Sequence, residues 1–205
     1  MSVKKLYTTQ ERLENFLGVS IASGKTDDLI NGAIDIVDQI TGRNFVADTE
    51  ATARYYNGNG KNEMRIDDCI EITKILRGLD SYFDNSEEIE AGGTSGYFLL
   101  PEYSPSQFPI QKIHLRGSWF ITGIRNNEIT AKWGFSKVCP DDVILATTII
   151  AGGLWGANNL SGSGEIKSEK IGNYNVSYDV GSGSGGWNSY NRAKEILGTY
   201  KRVNL

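Results

Sequence analysis

The spacing of apolar residues changes twice along this chain of 205 residues, and this change limits the possible folds more than any other feature. Near both ends, apolar residues recur every three or four positions, as at Ile30, Ile34 and Val37, which is the period of one helix face. In between, short segments rich in aromatic and β-branched residues alternate with turn residues, a pattern that favours strands. The sequence therefore predicts an α+β fold in which four helices come from both ends of the chain.

Residues 1–50 are predicted to form a pair of helices. The first follows the capping-box pair Thr8 and Glu11 and ends at Gly18. The second starts at Thr26 and ends at Gly42, because apolar residues hold the helical period between those two positions. This helix pair is the first of three predicted regions.

Residues 51–136 are predicted to form a strand-rich insertion. Candidate strands lie at 54–56, 64–66, 70–76, 97–100, 110–115 and 128–133. Pro101, Pro105 and Pro109 lie close together, and because proline lacks a backbone N–H they predict an irregular connection there.

Residues 137–205 are predicted to complete the helical part of the fold. A central helix starts at Pro140, and a final helix lies near the end of the sequence. Between them, residues 166–171 and 174–178 flank a Gly-Asn turn, which is typical of a β-hairpin. Tracts of Gly and Ser at 161–164 and 181–186 tether this hairpin on both sides.

The predicted hairpin has an aromatic face made by Tyr174, Val176 and Tyr178, since alternate residues of a strand share a face. A two-stranded ribbon is marginally stable in water, so this face must dock on something. The sequence allows two docking partners for this face. The face packs on the chain's own helices, or it packs on a neighbouring subunit by edge pairing, which makes the hairpin an inter-subunit arm.

Charge and composition exclude several classes of protein. The formal net charge of -4, from 21 basic and 25 acidic residues, argues against a stand-alone DNA- or RNA-binding protein. One histidine and two cysteines are too few for a zinc site of His and Cys ligands. Cys69 and Cys139 are expected to be reduced thiols of a cytosolic protein, because no signal-peptide pattern precedes them. The longest apolar stretch, 143–157, is shorter than a membrane span, so no membrane association is expected.

Two segments resemble nucleotide-binding motifs, but neither fits its motif. Residues 24–26 read Gly-Lys-Thr without the earlier glycine that a P-loop requires. Gly181, Gly183 and Gly186 match G-x-G-x-x-G, yet too few residues follow to complete a dinucleotide-binding unit. His114 is the single histidine and lies in a predicted strand, so any Ser-His-Asp or Cys-His site has one possible centre. The sequence predicts a protein that is not an enzyme and has no cofactor or metal.

Several short segments occur in a distinctive order. Thr-Gly-Arg-Asn-Phe at 41–45 closes the helix pair, and Tyr-Tyr-Asn-Gly-Asn-Gly at 55–60 and Cys-Ile-Glu-Ile-Thr-Lys-Ile at 69–75 follow it. Later, Ile-Thr-Ala-Lys-Trp-Gly-Phe at 129–135 leads into Pro-Asp-Asp at 140–142, and the hairpin at 166–178 precedes Ile-Leu at 196–197 and Tyr-Lys-Arg at 200–202. In this order the chain resembles the head-tail connector (adaptor) proteins of tailed bacteriophages.

This resemblance implies a structural virion protein whose four helices form an adaptor-type bundle. It implies a homo-oligomeric ring, usually of twelve subunits, beneath the portal protein at the capsid vertex. Such a ring extends the DNA channel, completes the head and docks the tail through head-closure or tail proteins, while genomic DNA passes through its lumen without sequence-specific binding. The expected location is the virion neck, after assembly in the cytoplasm of the host bacterium. By the same resemblance, Tyr200, Lys201 and Arg202 are candidate portal contacts.

Two alternatives remain open from the sequence. The first is another neck or tail-completion protein of a phage. The second belongs to a different class, a small hydrolase or a carbohydrate-binding module that uses the aromatic residues Tyr97, Tyr103 and Trp119 of the insertion. Exposed aromatic side chains on one strand face would favour this second alternative.

Overall fold

A computed structural model describes residues 7–92, 96–101, 108–160, 169–171, 174–176 and 184–202. The chain divides into two compact units. Met1–Gly42 together with Pro140–Leu205 form the helical unit, and Arg43–Cys139 form the sheet unit. The fold therefore mixes α-helices and antiparallel β-structure, with helices at both ends of the chain as the apolar spacing predicts.

In the described residues, the helical unit contains four α-helices. They are α1 (Gln10–Leu17), α2 (Ser23–Thr41), α3 (Asp141–Leu160) and α4 (Ser184–Leu197), and a 3₁₀ turn at Gly198–Tyr200 follows α4. Helix α3 contacts each of the other three. Its apolar residues, such as Val143 and Ala146, are fully buried together with Leu13, Val37 and Leu197. No helix in the described part of the chain has the length and apolarity needed to cross a bilayer.

The ends of the first two helices follow from local chemistry. Gly18 and Gly42 both end their helices with a positive φ, 69° and 66°, a conformation that glycine adopts without a Cβ clash. The predicted N-cap of α1 is wrong by one residue. Thr9 caps the helix by accepting a hydrogen bond from the Arg12 N–H, because the hydroxyl of the buried Thr8 lies 2.8 Å from that of Thr148. Helix α2 begins three residues before the predicted Thr26, at Ser23.

The sheet unit contains six strands over its described ranges 43–92, 96–101 and 108–139. They are β1 (Thr52–Gly58), β2 (Glu63–Gly78), β3 (Ser86–Glu88), β4 (Tyr97–Leu100), β5 (Ile110–Leu115) and β6 (Gly123–Trp133). The order in the sheet is β1-β6-β2-β5-β4, and β3 pairs separately with β2. All of these pairs are antiparallel.

Strand β2 is long and irregular, and it organises the sheet. Its first half pairs with β5 and its second half with β6, with shifts of register between Arg65 and Cys69 and again between Ile72 and Lys74. The core lies along it and includes Ile66, Ile75 and the neighbouring residues Ile113, Phe120, Ile129 and Trp133, all of which are almost fully buried.

The chain enters and leaves the sheet unit through paired segments. Val46 bridges to Ser136, the Ala47 N–H donates to the Ser136 carbonyl at 2.8 Å, and the Phe135 N–H donates to the Asn44 carbonyl at 2.8 Å. The rings of Phe45 and Phe135 pack beside this junction with centroids 5.4 Å apart. The sheet unit is therefore closed at the point where it joins the rest of the chain.

A second, two-stranded antiparallel sheet lies between α3 and α4 in the sequence. Its strands are β7 (Glu169–Ile171) and β8 (Tyr174–Val176), and Ile171 pairs with Tyr174. The register places two residues between the strands, as the predicted Gly-Asn turn requires, although the turn itself lies outside the described residues.

Candidate interaction surfaces

The segment that follows α4 contains the three predicted portal contacts. The Tyr200 hydroxyl lies 2.9 and 2.8 Å from the two carboxylate oxygens of Asp142 and donates its proton to them. The Arg202 backbone N–H donates to the Thr41 carbonyl at 2.8 Å. Lys201 lies between these two anchors and is exposed. The backbone and Tyr200 therefore hold the segment on the helical unit, while the Lys201 side chain points to solvent.

The predicted inter-subunit arm lies only partly within the described residues. Tyr174 and Val176 both belong to β8 and occupy alternate positions, which lie on one face of a strand. Tyr178 lies outside the described residues. The structure thus places two of the three arm residues on one strand of the hairpin.

Strand β1 forms one edge of the six-stranded sheet, and its side chains bind across the sheet. The Arg54 guanidinium lies 2.7 Å from Asp67 and stacks 4.5 Å above the centroid of the Trp133 ring. The Tyr56 hydroxyl donates to the same Asp67 carboxylate at 3.1 Å, and burial raises the pKa of Tyr56. These contacts leave the residues 52–55 exposed along the edge.

At one end of the sheet unit, exposed apolar side chains lie next to a buried polar residue. Tyr82 is 83% exposed and Ile124 is 76% exposed. The Ile124 N–H donates to the Ser81 carbonyl, so the two loops that carry these residues are neighbours. Asn126 is fully buried beside them and binds both loops through its side-chain amide.

The hydrogen bonds of Asn126 fix the backbone at this end. Its Oδ1 accepts from the Gly58 N–H at 2.8 Å and from Asn127 Nδ2 at 3.0 Å. Its Nδ2 donates to the carbonyls of Asp80 and Ile121 at 3.0 and 2.9 Å. Sequence reasoning missed this residue, because an Asn within a strand carries no local signal of such a role.

Asp80 plays a similar part in the loop between β2 and β3. Its carboxylate accepts hydrogen bonds from the backbone N–H groups of Tyr82, Asp84 and Asn85, at distances from 2.8 to 3.1 Å. These bonds favour the charged carboxylate, and the pKa of Asp80 is lowered despite partial desolvation. The spacing from Asp80 to Asn85 is a turn signal that sequence reasoning could have used.

The aromatic residues named for the carbohydrate-binding alternative do not form one strand face in the described residues. Tyr97 is half-buried on β4, where it pairs with Leu115. Trp119 is 61% exposed, but it lies in the connection after β5 rather than on a strand. Tyr103 lies outside the described residues.

The candidate reactive groups His114, Cys69 and Cys139 all lie in the sheet unit. His114 Nε2 lies 3.3 Å from the Asn62 side-chain amide, and its ring packs near Phe98. Cys69 and Cys139 are buried and form no disulfide, and burial raises the pKa of the Cys69 thiol to about 12, so this thiol stays protonated at neutral pH. The described residues contain no group of three or more His, Cys, Asp or Glu side chains that could hold a metal ion.

Comparison with solved structures gives a likeness in fold. No protein-family model matches the chain, and no curated protein matches it. The fold is similar to that of a chain in the solved structure "Neck of empty GTA particle computed with C6 symmetry", where GTA stands for gene transfer agent. The TM-score is 0.53 at 10% sequence identity, and the alignment covers 95% of this chain and 89% of that chain. The likeness therefore concerns the fold, and it extends over both units.

Proposed function

We propose that this protein is a structural component of the neck of a tailed, phage-like particle, and more specifically a head-tail connector (adaptor) subunit. The observation that carries the proposal is the likeness in fold to a chain of a particle neck over 95% of the sequence. The order of short segments that resembles the connector family supports it independently. In this role the four helices form an adaptor-type bundle, and the sheet unit is an insertion between its second and third helices.

The proposed assembly is a homo-oligomeric ring of twelve subunits in the virion neck, built in the cytoplasm of the host. A ring of twelve contains a six-fold axis, so it agrees with the symmetry used for the similar neck. Its partners are the portal protein on one side and head-closure or tail proteins on the other. Twelve copies of a chain with a net charge of -4 carry about -48, which disfavours tight binding of the DNA that passes through the lumen.

The portal contact is assigned to Tyr200, Lys201 and Arg202. Two substitutions distinguish a role of this segment in portal binding from a role in the stability of the helical unit. Lys201→Glu reverses an exposed charge, so we expect weaker binding to the purified portal of the same particle with an unchanged unfolding temperature. Tyr200→Phe removes the hydrogen bond to the Asp142 carboxylate, so we expect a loss of about 1 kcal/mol in stability. If truncation after Gly198 leaves portal binding intact, this assignment is wrong.

The decisive experiment is electron microscopy of particles from the source organism, labelled with an antibody against this chain. We expect the label at the joint between capsid and tail, and none on particles treated with pre-immune antibody. Class averages of the purified ring count its subunits and distinguish an adaptor from another neck or tail-completion protein. Intact tailed particles that contain no detectable copy of the chain would contradict the proposal.

A further inference from the structure

Among the strands that the structure describes in the sheet unit, β1, β3 and β4 each have an open edge, and two of them carry features that discourage pairing with another chain. Strand β4 has four half-buried residues and is followed directly by Pro101, which has no N–H to offer a partner. Strand β3 has three residues, and two of them are the acidic Glu87 and Glu88. Short length, proline and charge are the means by which natural edge strands avoid unwanted pairing.

Strand β1 lacks these protections. It has seven residues, no proline and no acidic side chain. Its single charged residue, Arg54, is exposed and lies across the sheet, where it pairs with Asp67 and stacks on Trp133. Tyr55 packs edge-on against Phe83 with ring centroids 5.9 Å apart. The charge of β1 is therefore engaged within its own sheet, and the edge stays open.

Hydrogen bonds to β6 hold both ends of β1. At its start, the Thr52 carbonyl accepts the Trp133 indole N–H at 2.8 Å. At its end, the Gly58 N–H is bound by Asn126, and Asn57 Oδ1 accepts the Arg125 N–H. The partners in all three bonds belong to β6, the strand already paired with β1, and residues 52–55 of β1 are exposed.

The β7-β8 hairpin has only two strands, so pairing with the edge of another strand would stabilise it. Its two strands form a sheet separate from the six-stranded one. Two strands of three residues are too short to be stable alone in water, and a third strand would supply the missing main-chain hydrogen bonds. In the sequence, Gly- and Ser-rich tracts flank the hairpin on both sides, a composition typical of flexible linkers.

We propose that the hairpin of one subunit adds to the β1 edge of a second copy of this chain, with β8 pairing against residues 53–55. The inference rests on the ring proposed above. Hairpin and edge are two different surfaces, so the contact is head-to-tail and can propagate around a closed ring. Main-chain hydrogen bonds supply the binding, as in other cases of strand addition.

Cross-linking between two single-cysteine additions tests this contact. One variant carries Ala53→Cys on β1 and the other carries Asn175→Cys on β8. The two are mixed, allowed to assemble and treated with a short bismaleimide. The native thiols give little background, because both are buried. The matched control replaces the β1 variant with Ser86→Cys, which places an exposed thiol on the β3 edge instead.

We expect a cross-linked species of twice the monomer mass in the mixture of Ala53→Cys with Asn175→Cys, at least about tenfold more abundant than in the control mixture. Native mass spectrometry of the same samples reports whether rings are present. Rings without this cross-link would overturn the arm contact and leave the ring standing. A double variant that cross-links within a single chain at high dilution would assign the hairpin to its own sheet and would also overturn it. A chain that stays monomeric would overturn the ring and the arm together.

Discussion

Removal of the Asn126 side chain is the sharpest test of how the exposed end of the sheet unit is held. Asn126 is fully buried and takes part in four hydrogen bonds that join β1, the loop after β2 and the loop before β6. Each such bond contributes about 1 kcal/mol net, so Asn126→Ala is expected to lower the free energy of unfolding by about 4 kcal/mol. That is a large share of the roughly 5–15 kcal/mol that stabilises a typical domain.

The measurement is urea unfolding followed by tryptophan fluorescence, since Trp133 is buried in the core of this unit. Faster hydrogen exchange in peptides from β6 would show that the loss of stability is located at this end of the sheet unit. Asn57→Ala is the matched control, because Asn57 is exposed and makes a single described hydrogen bond, to the Arg125 N–H. We expect this control to lose less than about 1 kcal/mol. If the two substitutions cost the same, Asn126 is not the residue that joins these loops.

Two further predictions concern a glycine and an ion pair. Gly134 has φ +139°, and a Cβ there would lie 2.4 Å from the Ala47 Cα, so Gly134→Ala is expected to cost about 2–4 kcal/mol in thermal unfolding. Gly156→Ala, in open space on α3, serves as its control and should stabilise by up to about 1 kcal/mol. The pKa of Glu63 is lowered chiefly by its hydrogen bond to Lys112. The Glu63–Lys112 pair therefore stabilises the fold at pH values above 4.5, the ordinary pKa of Glu63, and this stabilisation is lost as the pH falls through the lowered pKa. In an NMR titration, Lys112→Gln should raise the pKa of Glu63 towards 4.5, and an unchanged value would refute the role of Lys112.

The sequence predicts the strands well where apolar alternation continues without polar interruption. Strand β5 has the predicted limits, 110–115, because its alternate residues Ile113 and Leu115 are buried in the core. The sequence predicts two strands, at 64–66 and 70–76, with Asp67 and Asp68 between them, where the structure has the single strand β2. In the fold, Arg43 and Gln111 bind Asp68 from distant parts of the chain, and Arg54 binds Asp67, so the strand runs through. Such partners are not local in sequence, and no periodicity reveals them.

Of the two surfaces in the proposed arm contact, the sequence predicts the hairpin but not the open edge of β1. The two strands of the β7-β8 hairpin are neighbours in the sequence, so a short turn between two strand-forming segments predicts the hairpin directly. The open edge of β1 depends on the order of strands in the sheet, and that order places β6, which follows β1 by more than sixty residues, on its only paired side. Strand β3 has three polar residues and no apolar signal. It forms because the Asp80 turn returns the chain to β2, where Arg77 binds Glu87.

The buried polar groups of the sheet unit bind its own backbone and side chains. Here the buried Asn126 is directed at backbone groups, and Asp68 is held by Arg43 and Gln111 within the fold. Their effect is to fix loops and strand ends around the rim of the sheet.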